Sequence, residues 1–244
     1  MFPKIDDWGV FKSLVGAICS LILQATKGEI HLISVDEKTG IQALERQIVS
    51  HQGGQRIEAE YTRHGTTCLL AALEVGQGEV VHHISNDTRK EEDYLAFIQG
   101  LVSKYPEEDS LIILADNLNT HMSASLVEWV AQEIGFEGDL GTKGYKGILK
   151  SMKSRKQFLE DPTHRIRFVY TPKHCSWLNP IENWFAKLQR QAINKESFES
   201  KQYLVEEIDR YIEYYNKYLA KPFKWKFEGF KKDKQWQGYD AEGT

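Results

Sequence analysis

Residues 110–115 read SLIILA, the most apolar stretch of strand length in the chain. A short run of this kind suits a strand covered on both faces, in the middle of a sheet. Helices must then lie above and below it, so the chain is constrained towards a layered α/β architecture. The run ends at Asp116.

Other segments fit this frame. Residues 30–35, IHLISV, form a second short strand ending at Asp36, and 166–170, IRFVY, a third. Residues 61–75 and 79–84 read as strands joined by a glycine turn at 76–78, giving an antiparallel hairpin. Between Asp36 and that hairpin, EKTGIQALERQ reads as irregular and polar, and Gly53-Gly54 as a turn or flexible loop. Apolar spacing predicts helices over 8–24, 90–105, 123–134, 180–193 and 201–219. The expected fold is a mixed sheet with helices on its faces.

Composition narrows the class. With 244 residues, 41% hydrophobic and 27% charged, the chain can bury a sizeable core. A net charge of -4 does not mark a general polyanion binder, although local basic patches count for more than the sum. The three cysteines form no CxxC pair, which favours a reducing cytoplasm over a disulfide framework. The apolar run 14–23 is too short to span a bilayer, and Asp6 and Asp7 before it argue against a signal peptide. A buried or amphipathic helix is expected, and no membrane partner.

Residues 135–162 interrupt the rhythm with five glycines and a basic cluster, Lys143, Lys146, Lys150, Lys153, Arg155 and Lys156. They read as an insertion with a short helix of its own. Such a charge run is either a solvated surface or a contact for a phosphate backbone. The tail from 222, PFKWKFEGFKKDKQWQ, interleaves aromatics with lysines. It either packs its rings on the domain or stacks on bases, and packing is the commoner outcome.

Residues 171–185, TPKHCSWLNPIENWF, hold the third point of interest. Asn179 suits an N-cap, Pro180 the first helical position and Glu182 the first turn. Glu182 either returns to the Asn179 amide as a capping box or faces a site at the strand ends. Asp36 and Asp116 also have a plain reading as turn residues at strand ends. Three carboxylates at the ends of separate elements nevertheless suit hard cations, Mg²⁺ or Mn²⁺. Two such ions serve in-line phosphoryl displacement.

The segments VDEKTGIQALERQ, YTRHGTTCLLAALEV, LADNLNTHMS and YTPKHCSWLNPIENWFAKLQR together resemble the catalytic domain of mariner-like bacterial insertion-sequence transposases of the DDE group. The resemblance covers about residues 30–215. It implies a ribonuclease-H-like fold, with Asp36, Asp116 and Glu182 as the catalytic acids binding two Mg²⁺ or Mn²⁺ ions. Asn117, His121, Trp177 and Asn179 match the supporting motif positions. Glu37 ranks below Asp36, because alternation along a strand points it away.

The implied activity is cleavage of DNA at element ends and joining of the freed 3′-hydroxyl to target DNA, by a paired homodimer. Two departures stand out. The interval from Asp116 to Glu182 is longer than is usual in the family, which the 135–162 stretch accounts for. A helix-turn-helix region has no room before residue 30, so it is expected as a separately encoded protein or as lost. The implied organisation is a helical segment over 1–29, the catalytic domain over 30–220 and a basic-aromatic tail over 221–244. A ribonuclease-H-like nuclease without joining activity, and a non-catalytic DNA-binding or assembly fragment, are the competing functions.

Overall fold

The structure is a computed structural model that describes residues 7–51 and 54–230, with side chains described outside 47–59. In chain order the main elements are α1 (Trp8–Thr26), β1 (His31–His51), β2 (Gly54–Glu74), β3 (Glu79–Asn86) and α2 (Glu91–Val102). There follow β4 (Leu111–Ala115), α3 (Ala124–Glu133), α4 (Met152–Leu159), β5 (Ile166–Tyr170), α5 (Pro180–Gln191) and α6 (Lys201–Tyr218).

The strands form one mixed sheet, ordered β3-β2-β1-β4-β5. β1, β4 and β5 are parallel, whereas β2 and β3 are antiparallel additions beside β1. The apolar run at β4 is an interior strand, as its composition requires.

Alternation along the strands divides the core. Ile33 and Val35 of β1, Ile113 and Ala115 of β4, and Phe168 and Tyr170 of β5 face α2, α3 and α4. Leu32, Leu114 and Val169 face the other way, where α1 packs with Val15, Ile18, Cys19 and Ile22. On that same side, Leu69, Ala71 and Leu73 of β2 are covered by α5 and α6. The stripe Ile181, Trp184, Phe185 and Leu188 is the buried face of α5. Helix starts are fixed locally. Asp7, Ser123 and Ser200 each accept a hydrogen bond from a first-turn amide of α1, α3 and α6.

Two expectations change. The first strand does not end at Asp36, because β1 continues to His51 against an equally long β2. Three register shifts interrupt that pairing, between Lys38 and Ile41, Gln42 and Leu44, and Arg46 and Ile48. Bulges insert extra residues, so the polar stretch loses the strict alternation by which a strand is read. Gly54 opens β2, while Gly53 lies outside the described residues.

The 135–162 stretch is not wholly a surface excursion. Its Leu149, Phe158 and Leu159 join the core cluster under α2 and α3.

The helix expected over 8–24 is present as α1, of 19 residues. By length and composition alone it is apolar enough to cross a membrane. In the fold, one of its faces is buried against the sheet. The tail rings Phe223, Trp225 and Phe227 pack on this same cluster, leaving Lys224 and Lys226 exposed. Gly78 makes room for the tail: its φ is 75°, and a Cβ there would fall 1.9 Å from the Lys221 carbonyl oxygen.

Trp184 is 1% exposed and contacts Phe185, Tyr211 and Tyr215, tying α5 to α6. Trp184→Ala should cost about 3–5 kcal/mol in urea unfolding, the range for deleting a large buried ring. A loss below about 1 kcal/mol would contradict this packing.

Candidate active site

β1 and β4 are neighbours in parallel, with Ser34 opposite Leu114. Asp36 and Asp116 each come two residues beyond that pair, so both lie at the carboxyl end of the parallel sheet. This is where open α/β sheets form their sites. β5 completes the edge, since the Thr171 amide donates to the Ala115 carbonyl (2.9 Å). The chain from β5 then turns through a short 3₁₀ segment, Ser176–Leu178, into α5.

Asn179 joins these elements. It occupies the N-cap position of α5, but its side chain does not cap the helix. Instead its Nδ2 donates to the Val35 carbonyl (3.0 Å) and to Asp36 Oδ2 (3.1 Å), while its Oδ1 accepts from Ser34 Oγ. Ser34 Oγ in turn accepts from the Ile181 amide (2.8 Å). The hydroxyl of β1 thus satisfies a first-turn amide of α5, the role that a cap usually fills. Glu182 takes no part in a capping box, and its side chain is exposed at the start of α5. Its amide donates to the Asn179 carbonyl (3.1 Å).

Asp36 is buried, 9% exposed. Burial raises its pKa from 3.8 to about 7, against the opposing bond from the Glu37 amide. The carboxylates of Asp116, Glu182 and Glu37 push it further in the same direction. Glu182 is also raised, by burial and by Asp116 and Glu37, with Lys38 opposing. The acids therefore feel one another across the site, and a positive charge among them would relieve the repulsion.

Asp116 goes the other way. Burial would raise it, but the His121 hydrogen bond and charge, with the Leu118 amide, hold it below the usual value. Its Oδ1 accepts from Leu118 N (2.9 Å) and lies 2.8 Å from His121 Nδ1. His121 is fully buried, and its Nε2 lies 3.2 Å from Glu37 Oε2. Burial disfavours its charge, yet the bonds and charges of Asp116 and Glu37 prevail and raise its pKa to about 9. Tyr94 stacks on the ring at 4.2 Å between centroids, and Tyr170 Oη donates to the His121 carbonyl (2.7 Å).

The donor set fits a hard divalent cation, since all three acids offer oxygen. Among the described residues, no three Asp, Glu, His or Cys side chains are grouped as a preassembled metal cage. The three acids surround a shared field rather than a closed point.

The other predicted residues are distributed around this edge. Asn117 donates to the Thr171 carbonyl and accepts from Lys156 Nζ (3.0 Å), joining the strand ends to α4. Lys156 also lies over the Tyr170 ring and beside Glu160 (3.7 Å). The rest of the basic cluster does not share that placement. Lys143 pairs with Glu91 and Lys146 with Asp139, Lys150 and Lys153 are exposed, and Arg155 has a buried Nε without a hydrogen-bond partner. Trp177 is 49% exposed and lies parallel to Trp225, with Phe227 edge-on to it.

Ser34, Tyr94, Arg89 and Tyr170 escaped the sequence reading. Ser34 carried one usable signal, since period two places it on the same strand face as Asp36. The others carried none, because their partners are remote in the chain.

A family model of the DDE superfamily endonucleases matches residues 31–205, and the chain belongs to that family. No curated protein matches it by sequence. Among solved structures it resembles the Mos1 mariner paired end complex with Mn, at a TM-score of 0.52 and 15% identity over 87% of this chain and 57% of that one. The Mos1 strand transfer complex gives 0.51 and 14%, over 87% and 58%. The pre-cleavage Mos1 transpososome gives 0.50 and 15%, over 87% and 60%. At such identities the likeness is one of fold, and it identifies the sheet as the ribonuclease-H-like mixed sheet. The chain spans about three fifths of the length of these Mos1 chains.

Two outcomes follow from these buried polar groups. The folded pKa of Asp36 (about 7) lies above its ordinary 3.8, so ionisation disfavours the folded state. The penalty is absent below about pH 4, grows with pH and is complete above about 7. Without divalent ions, Asp36→Asn should raise unfolding stability at pH 8, by at most about 4 kcal/mol, and change it little at pH 4. Urea unfolding in EDTA at the two pH values checks this, and equal effects at both would refute it. Ser34→Ala leaves the buried Ile181 amide and Asn179 Oδ1 without their partner, and should cost about 1–3 kcal/mol.

Proposed function

We propose that this chain is a transposase catalytic domain that cuts DNA at the ends of an insertion-sequence-type element and joins the freed 3′-hydroxyl to target DNA. One observation carries the reading. Asp36 and Asp116 lie two residues beyond the last pair of adjacent parallel strands, and Asn179 fastens the helix of Glu182 to the first of them. Membership of the DDE superfamily endonucleases supports the hydrolytic chemistry. The three Mos1 assemblies, one with Mn, support the DNA substrate and the metal.

Asp36, Asp116 and Glu182 are the residues that would hold Mg²⁺ or Mn²⁺, two ions in our reading. Bound there, divalent ions supply Lewis-acid stabilisation of attacking and leaving oxygens and lower the pKa of water.

The chain's own groups do the rest. Asn179 and the Glu37 amide fix the two oxygens of Asp36. His121 and the Leu118 amide fix Oδ1 of Asp116. Lys156, held at Asn117, brings a cation to the same edge for a phosphate of the DNA backbone, with exposed Lys153 earlier on α4 and Lys150 just before it adding to the charge. Exposed Trp177 offers a ring to a base beside the acids. Water attacks a phosphodiester in line and the P–O3′ bond breaks, leaving a 3′-hydroxyl and a 5′-phosphate. The hydroxyl then attacks a target phosphodiester in the same geometry, displacing a 3′-oxygen. Action as a homodimer, with end recognition by a helix-turn-helix protein in the cytoplasm, belongs to the same proposal.

Purified chain, Mn²⁺ and a labelled plasmid carrying the element's ends give the test. Metal-dependent cleavage should appear and fall to background in Asp116→Ala and Glu182→Ala. Joined products are expected alongside cut ones. Cutting without joining would make the chain a nuclease, and cutting that survives Asp116→Ala would discard the acids.

A further inference from the structure

Glu37 follows Asp36 on β1 and points to the opposite face of the sheet, among the residues packed against α2. It is 7% exposed, yet it is neither a cap nor part of a turn. Its Oε2 lies 3.2 Å from His121 Nε2, and its Oε1 lies 3.2 Å from Arg89 Nη1. His121 spans the end of the sheet, and its other nitrogen lies 2.8 Å from Asp116 Oδ1. With a carboxylate on each ring nitrogen, the imidazole has both edges fixed. The Tyr94 ring covers one face, and Tyr170 binds the backbone behind it.

We infer that Glu37 is a positioning residue for Asp116, acting through His121 and presenting Asp116 Oδ2 to the site. Oδ1 of Asp116 already accepts from His121 and from the Leu118 amide. Those two bonds set the plane of the carboxylate and leave Oδ2 as the oxygen free to bind. Without Glu37 the ring loses the anchor on its far edge, and its bond to Asp116 Oδ1 is less firmly directed. A residue that orients a ligand from behind typically changes metal affinity or activity by about 10- to 100-fold. Arg89 is 57% exposed, so its bond to Glu37 is screened by water and secondary to the histidine. The inference rests on the reading of Asp116 as a metal ligand.

Mn²⁺ binding, measured by calorimetry at one fixed pH, separates the two. The unsubstituted chain should bind, and Asp116→Ala should not. Glu37→Ala should weaken binding about 10- to 100-fold and lower kcat for cleavage, with KM for DNA unchanged. Glu37→Gln keeps an acceptor for His121, so it should lose less, and it carries the test if the alanine variant does not fold. Ile98→Val trims a buried α2 residue of the same core and should leave Mn²⁺ affinity unchanged.

Normal Mn²⁺ affinity in both Glu37 variants would overturn the positioning role and leave the metal reading standing. So would equal weakening in Ile98→Val. Failure of the unsubstituted chain to bind Mn²⁺ would overturn the metal reading, and the positioning role with it.

Discussion

The buried contact between Ser34 and Asn179 holds the site to the fold. Ser34 belongs to the central strand of the sheet and Asn179 begins the helix that carries Glu182, 145 positions further on in sequence. Two groups on one serine oxygen, the hydroxyl proton and the lone pair, serve the Asn179 carbonyl and the Ile181 amide. The remaining amide of Asn179 goes to the Val35 carbonyl and to Asp36. Every bond in this set is buried, where an unpaired polar group costs far more than it does at the surface. The helix therefore has one low-energy seat on the strand. The separation of Glu182 from Asp36 follows from that seat rather than from a direct contact between the acids.

A second histidine-centred set works on the other face of the sheet. Successive residues of β1, Asp36 and Glu37, point to opposite sides, so one strand end serves both sets. Asp36 meets Asn179 on the α5 side, and Glu37 meets His121 on the α2 side. The two acids of the neighbouring strands are thus treated unlike. Asp36 is raised to about 7 by burial and by its anionic neighbours, while Asp116 is lowered by a cationic partner. An acid held below its usual value stays ionised over the whole physiological range. An acid near 7 is only partly ionised at neutral pH, and a nearby positive charge favours its ionised form. The difference comes from the deeper burial of Asp36 and from one buried imidazole, placed beside Asp116 and not beside Asp36.

How much of this was legible in the sequence depends on the distance over which each signal acts. SLIILA announced an interior strand because its composition carries the information within six residues. Asp116 and the Asn179-Pro180 helix start were legible for the same reason, and the spacing of Ile181, Trp184, Phe185 and Leu188 gave the buried face of α5. The continuation of β1 past Asp36 was not legible. Register shifts disturb its alternation, and its stability comes from β2, a partner supplied by tertiary pairing. The side chain of Asn179 was placed at the right residue and given the wrong job. Local rules favour capping, whereas the buried Ser34 hydroxyl and Asp36 carboxylate compete for the same amide and prevail.

Lys156 shows how one basic run can place some lysines at the surface and another at the end of the sheet. Its neighbours Phe158 and Leu159 turn α4 into the core under α3, and this fixes the direction of the whole helix. On a helix so fixed, Lys156 lies one turn before Leu159, at the margin of the core face. The Lys156 ammonium is led over the Tyr170 ring to Asn117, next to Asp116. Lys143 and Lys146 precede that helix in a glycine-bearing loop and pair with local carboxylates, Glu91 and Asp139. Exposed pairs of that kind contribute little to stability. They leave the loop cations free to exchange partners, whereas Lys156 is held by three groups at once. The charge count of the stretch is therefore a poor guide to its chemistry. What matters is which lysine the packing of Phe158 and Leu159 carries to the end of the sheet.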